Sequence, residues 1–207
     1  MRVFPLMVLL TLLTASAVLP AQTRDDNWNR CNGSDLDLRI GGCTALIQSG
    51  QENDSNLSRA FNNRGSAYSD KGEYDRAIQD FDQAIRVNPG SATACNDRCF
   101  NRAIVGQLQL ALADCNQSLS LRPNNAYTLD SRGFVYLKLK IPDAAIADYN
   151  AALAISPKLA SSLYGRGLAE RIKGDQAAAG KDIDAAKAIQ PGIAAQFAKW
   201  GVPETTP

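Results

Sequence analysis

Pro89, Pro123, Pro157 and Pro191 stand 34 residues apart along the 207-residue chain, and other residues keep the same interval. Gly65, Gly133 and Gly167 share one register, with Cys99 in the place of the missing glycine. Ala77, Ala111, Ala145 and Ala179 share another. A fixed period of this size marks a repeat array, in which each unit buries its apolar face against its neighbours. Four units follow, at 58–91, 92–125, 126–159 and 160–193.

Each unit reads as two helices. Phe61, Gly65 and Tyr68 form one stripe at spacings of four and three. After the KGEY turn, Ala77, Ile78, Phe81, Ala84 and Ile85 form a second. These are amphipathic helical spacings. The recurring proline stops the second helix, and Gly72, Gly106 and Gly174 stop the first. Small residues in the Gly and Ala registers let antiparallel helices approach where larger side chains would clash.

Upstream of the repeats the chain opens MRVFPLMVLLTLLTASAVLPAQ, one arginine ahead of a short apolar run and small residues. This is the pattern of a secretory leader over residues 1–21, with cleavage expected after Ala17 or Ala21. Its apolar part is too short to span a bilayer, so no membrane insertion is expected after cleavage. The whole chain has 22 Lys and Arg against 21 Asp and Glu, and removing Arg2 with the leader leaves the two balanced. Without a basic cluster, nucleic acid is not an expected partner. The chain has no histidine.

The registers resemble the signature of the tetratricopeptide repeat (TPR) family. The first unit reads Phe61, Gly65, Tyr68, Ala77, Phe81, Ala84, Pro89. The third reads Leu129, Gly133, Tyr136, Ala145, Tyr149, Ala152, Pro157. The second departs with Cys95, Cys99, Arg102 and Cys115, the fourth with Glu170 and Ile183. The resemblance implies an all-α solenoid of helix-turn-helix units wound into a right-handed superhelix. The RG…AIxDY variant also resembles exported TPR proteins of alphaproteobacteria, a group with no common enzymatic activity.

By the same resemblance the first helices line a concave face. The slots facing outward there include Asn62, Asn96, Phe100, Tyr127, Asp130, Phe134, Tyr164 and Leu168. The ninth slot, usually polar in the family, is Phe100, Phe134 and Leu168 in succession. Either this stripe is an exposed contact surface for a protein or peptide, or it packs between neighbouring first helices. The slots of the family's carboxylate clamp carry no positive charge here, at Asn62, Ser66, Asp97, Tyr127 and Ser131, which argues against acidic peptide tails as ligands.

Register also places the cysteines. Cys99 takes the close-approach glycine slot and Cys115 the facing aromatic slot, so a Cys99–Cys115 disulfide is expected in an oxidising compartment, leaving Cys95 buried and free. Cys95–Cys115 is the competing pair. Cys31 and Cys43 are expected to bond, pinning an N-terminal capping half-repeat within residues 22–57 to its lead-in strand. Residues 194–207 should supply a C-terminal cap, with Phe197 and Trp200 as its buried contacts and a disordered PETTP tail.

Two further registers carry charge: Arg64, Arg98, Arg132 and Arg166, and Asp80, Asp114, Asp148 and Asp182. Repetition in every unit favours a structural ion-pair ladder over a ligand site. Serine or cysteine nucleophiles lack a histidine base, and three cysteines of one repeat fall short of a closed zinc site. No cofactor or metal is expected. The reading is an exported scaffold, periplasmic or secreted, that binds protein or peptide without catalysis. The alternative is a structural or secretion-accessory module that self-associates through open repeat ends; a cysteine-based metal or redox protein stands behind both.

Overall fold

The computed structural model describes residues 23–204, so the expected leader and cleavage site lie outside the described residues. Eleven helices and no strand occur among the described residues. They are α1 (Arg24–Cys31), α2 (Leu36–Ser49), α3 (Asp54–Asp70), α4 (Tyr74–Val87), α5 (Ala92–Ile104) and α6 (Leu108–Leu121). Then come α7 (Ala126–Lys138), α8 (Pro142–Ile155), α9 (Ala160–Lys173), α10 (Gln176–Ile189) and α11 (Ile193–Lys199). None is long and apolar enough to cross a membrane. From α3 to α10 the helices pack as consecutive pairs, with α3, α5, α7 and α9 side by side.

Each pair turns through a backbone that the period dictates. Gly72, Gly106 and Gly174 take positive φ of 79°, 84° and 92°. The third unit has Lys140 there, at φ 61°. The amide of the next residue bonds back to the first helix in all four units; Glu73 N to Tyr68 O spans 2.8 Å and Ile141 N to Tyr136 O 3.0 Å. These closures satisfy carbonyls that the helix end leaves open. At the opposite ends, Asn53, Ser91 and Asn125 cap α3, α5 and α7 with side-chain oxygens.

The N-terminal segment differs from the expected half-repeat. The lead-in is no strand but helix α1, started by a capping box between Thr23 and Asp26. It packs antiparallel on α2, and Cys31 is bonded to Cys43 across the pair. Gly42 makes this approach possible, since a Cβ there would lie 2.6 Å from Asn27 O and 2.8 Å from Cys31 N. Arg24 grips Glu52 with two bonds of 2.8 Å, Trp28 Nε1 donates to the same carboxylate, and Arg59 stacks over the indole at 4.1 Å. Local propensity explains the miss: RDDNWNRC is mostly polar, and only its capping box marks it as helix.

Candidate functional site

Within each unit the two helices meet at one pair of slots. Gly65 faces the Phe81 ring, where a Cβ would come within 2.8 Å; Gly133 faces Tyr149 at 2.9 Å and Gly167 faces Ile183 at 2.9 Å. In the second unit the same two slots hold Cys99 and Cys115, and they are bonded to each other. Cys95 is a buried free thiol, its pKa pushed up by desolvation.

The charged registers form a ladder. Arg64, Arg98, Arg132 and Arg166 each grip the aspartate sixteen residues on with two hydrogen bonds, such as 2.7 and 2.8 Å for Arg64–Asp80. The third guanidinium arm reaches back to the previous pair: to Thr44, Asp82, Asn116 and Asn150 at 2.7 to 3.0 Å. One arginine per unit thus ties three helices, a task for a planar fork of donors rather than for lysine. The aspartates are buried, so the ladder is internal framework.

Function must be sought on the surface that α3, α5 and α7 present, where a pocket of about 300 Å³ opens. Its apolar wall is aromatic: Phe100 and Phe134 from the repeats, Phe197 and Trp200 from the end of the chain. Its polar wall holds Asp97 and Asp130. Asp97 accepts from Asn62 Nδ2 at 3.2 Å and Asn96 Nδ2 at 3.3 Å. Asp130 accepts from Ser161 Oγ at 2.9 Å and Ser162 Oγ at 2.6 Å. Among the described residues neither has a cationic partner, and burial pushes both carboxyls up to about 6 against these hydrogen bonds. Tyr127 stands at the rim with 66% of its surface exposed.

The tetratricopeptide repeat family matches this chain twice, at residues 58–91 and 135–192. The first match coincides with the first 34-residue unit. The chain is a tetratricopeptide repeat protein. A search of curated proteins finds no match. Among solved structures, MamA is similar at 21% identity and TM-score 0.63, over 88% of this chain and 95% of MamA. YrrB, described as a TPR protein with an unusual peptide-binding site, aligns at 21% identity and TM-score 0.57 over 75% of this chain and 78% of its own. The first TPR of Spaghetti (RPAP3), solved with the HSP90 peptide SRMEEVD, aligns at 20% identity and TM-score 0.54, over 59% of this chain and 95% of that one. At such identities the likeness establishes the fold.

This TPR array does not leave its apolar stripe open. Phe134, Tyr164 and Leu168 are 2%, 0% and 5% exposed, so the expectation of an exposed anchor surface fails for these three. The cause is α11, which folds back over the first helices. Phe197 lies edge-on to Phe134 and Tyr164, with centroids 5.7 and 4.8 Å away. Trp200 packs on Phe100 and Phe134 at 4.8 and 5.8 Å. Lys138 Nζ fastens the helix by donating to Trp200 O at 2.9 Å and Ile104 O at 3.2 Å. The tail adds Glu204, which accepts from Tyr164 OH at 3.0 Å and pairs with Lys187 at 2.9 Å. The expected disordered PETTP is therefore ordered through Glu204; residues 205–207 lie outside the described residues.

Of the remaining expected site residues, Asn62 and Asn96 serve Asp97, Asp130 is held by serines, Phe100 is half-buried beside Trp200, and Tyr127 is exposed. The pocket adds Asn101, Tyr149 and Trp200. Asn101 had a visible signal: it occupies the register of Ala67, Val135 and Ala169, three apolar residues. Tyr149 had none, because a phenol in an aromatic slot reads as core.

Proposed function

We propose that this TPR protein is an exported, non-catalytic scaffold that binds a segment of a protein or peptide in the concave groove of its first helices, between the second and third repeats. The observation that carries the reading is the pocket at that place, where an aromatic wall faces buried polar groups that lack partners. Two similar structures are described as binding peptides. Export is supported by the leader sequence and by two cysteine pairs bonded as in an oxidising compartment. The balanced charge of the processed chain offers nothing to a nucleic acid.

The test is peptide selection. A displayed random library panned against the protein should yield binders that protect Tyr127 and Trp200 from solvent. Tyr127→Ala should weaken those binders, because exposed aromatics at such rims act as anchors, while leaving the melting temperature in place. A library that returns nothing, or binders indifferent to Tyr127→Ala, would sink the reading.

A further inference from the structure

Three carboxylates, of Asp70, Asp97 and Asp130, line the pocket with four serines, and among the described residues no lysine or arginine does. Asp70 is paired outside it with Arg39 at 3.5 Å, which leaves Asp97 and Asp130 as the carboxylates without a cation. Asn101 is 2% exposed, and its amide nitrogen donates to Asp97 O at 2.8 Å. Only the nitrogen can donate to a carbonyl, so the free end is Oδ1, and it has no partner. Asn96 repeats the pattern: its nitrogen serves the Asp97 carboxylate and its buried oxygen is unpartnered. Tyr149, fully buried, also lines the pocket with a hydroxyl that nothing meets.

Buried polar groups are normally paired, and buried anions are normally compensated. Here two amide oxygens, a phenol and the two uncompensated carboxylates of Asp97 and Asp130 share one pocket with six further aromatic side chains. We propose that it receives a cationic, N–H-bearing side chain, arginine or lysine, from a segment of a partner protein. This rests on the groove-binding reading above and adds the chemistry of the anchored residue. The cation supplies the charge that Asp97 and Asp130 lack and the donors that Asn96 and Asn101 lack. Its flat or alkyl part lies against Trp200 and Phe100, where ring faces attract cations. Lys138, whose ammonium lies 5.5 Å from the Phe134 ring centroid, cannot serve, since it is committed to the carbonyls of Ile104 and Trp200. The volume, about 300 Å³, suits one side chain rather than a whole peptide.

Titration of the full processed chain with acetyl-Gly-Arg-Gly-amide, its lysine form, and the neutral citrulline and acetyl-lysine forms tests this. The readout is the indole N–H signal in nitrogen-15 NMR. The chain has two tryptophans, so Trp28 is an internal control. The arginine and lysine peptides should move Trp200 saturably and leave Trp28 still; comparing the two tells which cation is preferred. The neutral forms should bind about tenfold more weakly, the loss expected for a charged hydrogen bond. Asp97→Asn with Asp130→Asn should cost at least as much without lowering the melting temperature. Should that pair fail to fold, Asn101→Ala, already the residue of the Ala67 and Ala169 slots, must weaken the arginine peptide. Equal binding of arginine and citrulline peptides overturns the inference while leaving peptide binding standing. No shift of Trp200 with these peptides or with library-selected ones overturns both.

Discussion

Trp200 stands edge-on to Phe100, with ring centroids 4.8 Å apart and planes at 88°. The contact joins the last helix of the chain to the second repeat, a hundred residues back. It converts what the repeat pattern alone would leave as an open apolar groove into a half-covered one. The chain thus covers part of the groove that its own first helices form, and the part left open sets an aromatic wall beside Asp97 and Asp130.

Deleting residues 193–207 should lower the melting temperature and increase binding of an apolar dye, because Phe100, Phe134, Tyr164 and Leu168 lose their cover. Phe197→Ala alone should cost about 3–5 kcal/mol as a fully buried aromatic truncation. Urea unfolding checks both. An unchanged midpoint for the deletion would mean that α11 contributes nothing to stability.

Phe134→Ala should destabilise the fold by about 3–5 kcal/mol, since the ring is 2% exposed. Tyr127→Ala, at 66% exposure, should stay within ~0.5 kcal/mol. Equal effects of the two substitutions in thermal unfolding would contradict the burial described here.

Gly133→Ala forces a Cβ to 2.9 Å from the Tyr149 ring and should cost roughly 1–3 kcal/mol by overpacking. Gly180→Ala in α10 meets nothing within 4 Å, and should gain about 0.5–1 kcal/mol through helix propensity. Opposite signs in calorimetry are the expected result.

Peptide mapping without reductant should recover Cys31–Cys43 and Cys99–Cys115. Cys95 should resist alkylation until the chain unfolds, because it is buried and its thiol is held above its ordinary pKa. Rapid labelling of Cys95 in native buffer would be the contrary outcome.

Asp97 and Asp130 carry the pH dependence of the pocket. Asp97 is faced by Asn62 and Asp70 of α3 and by Asn96 of its own helix; Asp130 by Ser161 and Ser162 of α9 and by Tyr149 of α8. Both titrate at about 6, above the 3.8 of a free aspartate. Between those values the folded chain holds protons that the unfolded chain has released, so their contribution to stability is present at low pH and lost as pH rises through about 6. Glu52 and Glu204, lowered by Arg24 and Lys187, act in the opposite sense. The difference between wild type and Asp97→Asn/Asp130→Asn isolates the pocket: the double variant should be the more stable above pH 6 and equal near pH 4. Binding of an arginine peptide should weaken as pH falls through about 6.

The 34-residue period alone determined the helix pairs, the positive-φ turns at Gly72, Gly106 and Gly174, and the facing slots where glycine meets a ring or Cys99 meets Cys115. All of these depend on residues within one unit, and repetition averages out local ambiguity. The arginine–aspartate registers were equally legible, though the third guanidinium arm, reaching a neighbouring unit, appeared only in three dimensions. Tertiary structure decided the rest. Whether Phe134 is anchor or core depends on where a seven-residue helix sixty residues later settles, and such a helix has no stability of its own that a sequence pattern could report. The pocket is likewise a tertiary product: Asp97 and Asn101 lie on α5, Asp130 on α7 and Trp200 at the end of α11, and the raised pKa of the two carboxyls exists only once packing removes the water around them.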